Sequence, residues 1–198
     1  MPRLADHDAR RATIVEALWT VLQRNGVVAV SVRTVAAAAG MSPTALRYYF
    51  PSQDDLLAAA MTGLLQRGTD RVLGLLEEAR DRAGVERMYR AMLPTDEISR
   101  VDQELYLAFA SLARTSPRLQ EISDDAGVGL RELAQRAVEI LRASGELRPD
   151  VSPDAAAGCL DSVVQGLTFQ AITWPSAFDA ARLTRTLSDT LDRICRPT

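Results

Sequence analysis

The sequence predicts an all-α chain of about nine helices, and three observations carry that prediction. Apolar residues recur at intervals of three and four along nearly all of the 198 residues. No stretch alternates apolar and polar side chains as a half-buried strand would. Gly, Pro and capping residues interrupt the periodicity at helix-sized distances. The composition, 47% hydrophobic and 25% charged, is that of a globular protein with a sizeable core.

Taken in order, Ile14, Ala17, Leu18, Val21 and Leu22 form one apolar stripe on a first helix from about Asp8 to Asn25, ended by Gly26. Ser31 is the natural cap of a short second helix that turns Val32, Val35, Ala36 and Ala39 inward and stops at Gly40. Ser42-Pro43 starts a third helix at once, running to Tyr49, with Leu46, Tyr49 and Phe50 toward the core. Pro51 breaks it. Ser52 and Asp55 then have capping-box spacing at the head of a long fourth helix reaching about Arg80. Later boundaries fall at Gly84, Thr95, Ser116-Pro117, Gly145, Ser152-Pro153 and Pro175-Ser176. Between Ala155 and Trp174 the only charge is Asp161, so that helix needs cover on nearly every side. Its Gly158, Ser162, Gln165, Gly166 and Gln170 argue against a membrane span and for burial half in its own core and half in a partner subunit.

Charge separates the chain into two functional parts. Residues 1–51 hold six arginines against three acids, whereas the remainder holds 17 arginines against 23 acids, within a net charge of −3. Any polyanion contact therefore belongs to the N-terminal quarter. No residue is lysine. Met1 to Arg11 is polar and carries no secretory leader, so a cytoplasmic location is expected. Two cysteines, Cys159 and Cys195, form neither a disulfide framework nor a metal cluster and read as small buried hydrophobes; His7 is the single histidine, and no cofactor or metal is expected. Enzyme chemistry is not visible. There is no glycine-rich phosphate loop, no G-x-S-x-G and no H-E-x-x-H, and the acid pairs Asp54-Asp55, Glu77-Glu78 and Asp124-Asp125 diverge by about 100° on a helix.

The stretch Ser31 to Phe50 carries the function. Two short helices around Gly40-Met41-Ser42 bury little surface alone, and small residues at Ala36 to Ala39 set their crossing so that the second projects outward, as a helix that enters a major groove does. The alternative is an ordinary helical hairpin within a core. Over Arg10 to Met61 the chain resembles the TetR family of bacterial regulators, through Val32, Val35-Ala36, Ala39-Gly40-Met41-Ser42, Leu46, Tyr49-Phe50, Ser52 and Leu56. Beyond Val101, Ser116-Pro-Arg-Leu, Gly145-Glu-Leu-Arg-Pro-Asp150 and Asp161-Ser-Val-Val-Gln-Gly-Leu resemble the C-terminal domain of BetI-type repressors. The chain departs from the family at Gln53, where a phosphate-binding lysine is usual, and at Arg47, where a tyrosine is common.

The resemblance implies a homodimeric repressor of double-stranded operator DNA, with a DNA-binding domain at 1–51 and a ligand-binding and dimerisation domain at 52–198. Its DNA contacts would come from Ser31, Arg33, Thr34, Ser42, Pro43, Thr44, Arg47, Tyr48 and Gln53. Thr44 and Arg47 are the base-reading candidates, Arg47 either as a bidentate guanine contact or as a phosphate clamp. Ser31, Arg33 and Thr34 would hold phosphates, Tyr48 would pack on the DNA backbone, and Arg3, Arg10 and Arg11 either reach an adjacent groove or remain a plain terminus. Leu160, Val163, Val164 and Leu167, with Leu183, Leu187, Leu191 and Ile194, are the expected dimer interface. Met61, Leu65, Tyr89, Met92, Tyr106 and Phe109, with Phe169 and Trp174 at one end, form either a pocket for a small, largely apolar effector or a packed aromatic core. No membrane partner is implied.

Overall fold

The computed structural model describes residues 2–196, with side chains from residue 9 onward, and is predominantly helical. The elements are α1 (Pro2–Asn25), a 3-10 turn (Val27–Ala29), α2 (Val32–Ala38), α3 (Pro43–Tyr49), α4 (Gln53–Glu78), α5 (Arg82–Arg90), α6 (Glu97–Ala113), α7 (Pro117–Ala143), α8 (Pro153–Thr173) and α9 (Ala180–Ile194). Among the described residues the single β feature is an isolated bridge between Leu147 and Cys195. The first helix begins at Pro2, six residues before the expected start, because polar N-terminal residues extend a helix whose apolar stripe begins only at Ile14.

The chain divides into two compact units, Met1–Leu65 with Leu105–Ser123, and Gln66–Glu104 with Asp124–Thr198. The first unit thus holds more than residues 1–51. It takes in the opening turns of α4 and the turn from α6 into α7. Its core is the predicted stripe of Ile14, Leu18 and Leu22, together with Val35, Ala36, Leu46, Phe50, Leu56, Ala60, Met61 and Phe109, all nearly or completely buried. Gly63 lets α4 approach α1: a methyl group there would stand 3.4 Å from the Trp19 ring.

The second unit is a separate core in which α5 and α8 both pack on α9. It is built from Val85, Met88, Tyr89, Leu93, Leu160, Val164, Leu167, Leu183, Leu187, Leu191 and Ile194, among others. Gly84 marks its tightest crossing, since a Cβ would lie 2.7 Å from the Ala79 Cα, which only glycine avoids. Arg82 ties the elements together. Its N–H donates to Glu146 Oε2 at 2.7 Å, and its guanidinium reaches Asp192 at 2.6 Å and Glu86 at 3.4 Å.

Local capping explains most boundaries. The Ser52–Asp55 capping box forms as expected. α6 is capped by Asp96, one residue after the expected Thr95: the Ser99 N–H donates to Asp96 Oδ1 at 2.8 Å and the Asp96 N–H to Ser99 Oγ at 3.1 Å. Asp179 accepts from the Arg182 N–H at 2.7 Å, so α9 starts at Ala180 and Phe178 lies before it. No helix among the described residues is long and apolar enough to cross a membrane.

Candidate nucleic-acid interface

α2 and α3 are seven residues each, too short to persist alone, and the structure shows what holds them. Ser31 Oγ accepts the Thr34 N–H at 3.1 Å while Thr34 Oγ1 accepts the Ser31 N–H at 2.9 Å, a reciprocal cap worth about 1 kcal/mol or more. Thr34 Oγ1 also donates to the Ala29 carbonyl at 2.7 Å, fastening the 3-10 turn. The Ser31 and Thr34 hydroxyls, expected on phosphates, are therefore engaged in building the start of α2. Gly40, at φ +64°, makes the turn that a side chain would strain. The Met41 N–H closes the turn on the Ala36 carbonyl at 3.0 Å. Ser42 then caps α3 by accepting the Ala45 N–H at 3.1 Å, so this hydroxyl too has an internal partner.

With the caps satisfied internally, α3 uses one face for its own stability and leaves the other bare. Leu46 and Phe50 are buried and Tyr49 half-buried, while Pro43, Thr44, Arg47 and Tyr48 are exposed, Tyr48 by 76%. Tyr48 and Tyr49 meet edge to face at 5.2 Å between ring centroids. Arg33 on α2 and Gln53 at the head of α4 are exposed as well. The Arg11 guanidinium sits over the Phe50 ring, 4.7 Å from its centroid, which holds Arg11 on the head rather than in a free arm. Arg10 is exposed, and the side chain of Arg3, like that of His7, lies outside the described residues.

The expected effector residues fall into both units. Met61, Leu65, Tyr106 and Phe109 belong to the first, where Met61 and Phe109 are completely buried and Leu65 and Tyr106 half-buried. Tyr89, Met92, Phe169 and Trp174 belong to the second. Phe169 and Trp174 are about half exposed and touch edge to face at 6.0 Å, next to Phe178, over which Arg182 stacks at 4.2 Å. Tyr89 differs from all of these. It is 1% exposed, yet its hydroxyl has no hydrogen-bond partner among the described residues. Burial, and secondarily the charge of Asp161, pushes its phenol far above the usual tyrosine range. An open groove of about 620 Å³ near Leu76, Arg80, Arg136 and Ile140 is lined by none of the expected effector residues.

The interface residues also need restating. Leu160, Val164 and Leu167 of α8 and Leu183, Leu187, Leu191 and Ile194 of α9 all point into the protomer's own core, and only Val163 is half exposed. The outward face of α8 is instead Asp154, Ala155, Gly158, Cys159, Ser162, Gln165, Gly166 and Phe169, mostly small or uncharged residues, with the half-buried Asp161 at its edge accepting from Gln165 Nε2 at 2.7 Å. Cys159 is therefore exposed, contrary to expectation, while Cys195 is buried. Periodicity identified the helix's buried side correctly as apolar, but it does not say whether one's own core or another subunit covers it.

Two family models account for most of the chain. Residues 14–60 match the bacterial regulatory proteins of the tetR family, and residues 81–196 match the C-terminal domain of BetI-type transcriptional repressors. The chain is 32% identical over 198 residues to the HTH-type transcriptional regulator PksA of Bacillus subtilis, covering 98% of this chain and 94% of that protein. Its fold is similar to that of a transcriptional regulator from Saccharomonospora viridis in complex with choline, with a TM-score of 0.86 at 23% identity over 96% of this chain and 100% of that one. It is also similar to SmeT, the repressor of the Stenotrophomonas maltophilia multidrug efflux pump SmeDEF, with a TM-score of 0.72 at 21% identity over 94% and 90% of the two chains. SmeT has been solved with triclosan as well. A head whose short helices are stabilised from within, so that one face of α3 stays bare, joined to these matches, makes the chain a member of the TetR family of transcriptional regulators with a BetI-type C-terminal domain, and not an enzyme.

Proposed function

We propose that this chain is a repressor that binds a palindromic operator as a homodimer through α3 and releases it when a small effector binds. The observation that carries the DNA reading is the outer face of α3, where Thr44 and Arg47 are exposed and the helix's structural requirements are met elsewhere. Arg47 is suited to a guanine edge or a phosphate, and Arg33 on α2 to a phosphate, with Pro43, Tyr48 and Gln53 flanking them. Ser31, Thr34 and Ser42 set the geometry. Selection of bound fragments from a randomised DNA pool tests this: a two-fold symmetric site with half-sites about one helical turn apart, roughly 34–36 Å, is expected. Enrichment of no sequence over the starting pool would refute it.

The outward face of α8, made mostly of small uncharged residues, supports the dimer. Small residues allow close backbone approach, and a helix face of this kind exposed to water is best covered by its own copy. Support for the effector comes from the choline and triclosan held by two proteins of the same fold, and from the Tyr89 hydroxyl, a buried polar group that lacks a partner. In this reading Tyr89 is the polar anchor of an otherwise apolar effector site in the second unit, with Met92 beside the same core. The completely buried Met61 and Phe109 are core residues of the head unit. A thermal-shift screen of apolar acids, amines and aromatic metabolites should yield a stabiliser that also releases operator DNA, because only a ligand that favours the DNA-incompetent state shifts the balance.

A further inference from the structure

Two helix caps far apart in sequence interlock at the point where the head turns into α4. At the first cap, the Ser52 N–H and Oγ both donate to Asp55 Oδ2, at 2.9 and 2.7 Å, and the Asp55 N–H donates back to Ser52 Oγ at 3.1 Å. That arrangement uses one carboxylate oxygen. The other, Oδ1, receives the Arg118 guanidinium from the first turn of α7. Beside it, Asp54 Oδ2 accepts from Ser116 Oγ at 3.3 Å. Ser116 is the buried cap of α7, whose Oγ accepts the Leu119 N–H at 3.4 Å. Both acids of the Asp54-Asp55 pair are thus committed to the Ser116-Pro117-Arg118 turn, and all four side chains lie within the first unit.

The location gives the contact its meaning. Only Phe50, Pro51 and Ser52 separate the end of α3 from the start of α4. Phe50 is buried and Pro51 has a fixed φ, so the link has little freedom of its own. Whatever fixes the direction of the first turn of α4 therefore fixes the direction of α3. An ion pair as exposed as this one, with Arg118 56% accessible, adds little to global stability, so its effect is orientational. We propose that Ser116 and Arg118 are positioning residues for DNA recognition: without touching DNA they hold α3 at the angle at which Thr44 and Arg47 read a base sequence. The proposal rests on the DNA reading given above. It also makes the turn from α6 into α7 a place where a displacement is passed directly to the recognition helix.

The test compares the full-length chain with Arg118→Gln and Arg118→Lys on two DNAs of equal length, the fragment enriched by selection and a random sequence. For Arg118→Gln, affinity for the enriched fragment should fall about fivefold, the size of one exposed ion pair, with random-sequence binding and the thermal midpoint unchanged. Arg118→Lys should recover at least half of the loss. In the free protein, hydrogen exchange of residues 43–58 should quicken in Arg118→Gln, while exchange of residues 153–173 stays as in the parent. Equal loss on both DNAs would make Arg118 a phosphate contact and overturn the positioning role. Faster exchange with unchanged discrimination would reduce the cluster to a surface tie. A parent protein that enriches no sequence would instead refute the DNA reading, a result distinct from either.

Discussion

The outward faces of α3 and α8 are both exposed, and they differ in the one property that selects a partner. α3 presents Thr44, Arg47 and Tyr48 from a head with an arginine excess, whereas α8 presents alanine, glycine, cysteine, serine and glutamine, with Asp154 and the half-buried Asp161 as its acids and no basic residue. A polyanion rewards fixed cations and hydrogen-bond donors and tolerates exposure in the free state. A copy of the same helix rewards smallness, and any charge on it would have to be buried twice. Exposure alone is therefore not informative. The chemistry of the exposed face is.

The sharpest way to break this contrast is to give α8 the positive charge it lacks. Ser162→Arg should raise the dimer dissociation constant roughly a hundredfold or more, because two large guanidiniums would enter one interface of small residues, and sedimentation over a micromolar range would show it. Unaltered association would remove α8 from the interface. The reciprocal change strips charge from α3. Arg47→Ala should cost ~1–3 kcal/mol on the selected operator and little on random DNA, whereas Arg33→Ala should weaken both alike. Equal, parent-like operator affinity in both variants would sink the assignment.

A third region extends the comparison to a face that sees no water. Tyr89→Phe removes the unpartnered hydroxyl without changing the packing, and should stabilise the apo protein by about 1 kcal/mol, a rise of about 2–4 °C in the thermal midpoint. The same variant should lose effector-driven release of DNA. A fall in the midpoint would mean that the hydroxyl has a partner in solution, such as a buried water. The smallest effect is on pH. Hydrogen bonds from Ser52 hold Asp55 below the ordinary carboxylate range, and those from Ser99 do the same for Asp96. Both contributions are complete above the usual aspartate value of 3.8 and fade as pH falls through the lower folded-state value. Denaturant midpoints measured between pH 5 and 3 should therefore decline more steeply for the parent than for Asp55→Asn.

The three regions also show which parts of the molecule a sequence can display. Ser31, Gly40, Ser42-Pro43, Ser52 with Asp55 and Ser116-Pro117 were readable because a cap is a hydrogen bond between residues three apart, and it leaves its signature inside a four-residue window. The bare face of α3 was readable for the same reason, once its two caps were known. What escaped were facts about which surface meets which. Leu160, Val164 and Leu167 announced that they were buried but not by what, so they were placed at a partner when α9 of the same chain was already there. A hydroxyl at a helix start suits either an internal cap or a phosphate, and the sequence alone does not show that Ser31 and Thr34 cap each other. The tie of Asp54 and Asp55 to Ser116 and Arg118 joins two local signals more than 60 residues apart, and neither one points to the other.

One feature of α8 makes the proposed interface measurable by reaction kinetics. Cys159 stands on the outward face of α8, and Cys195, the chain's other cysteine, is buried with a thiol pushed up by desolvation. An alkylating reagent added at neutral pH therefore modifies one site at a rate set by access, with Cys195 as a silent internal reference. If copies of the chain meet on this face, the modification half-time lengthens as protein concentration rises, and its dependence on concentration is the association isotherm, obtained with no label and no substitution.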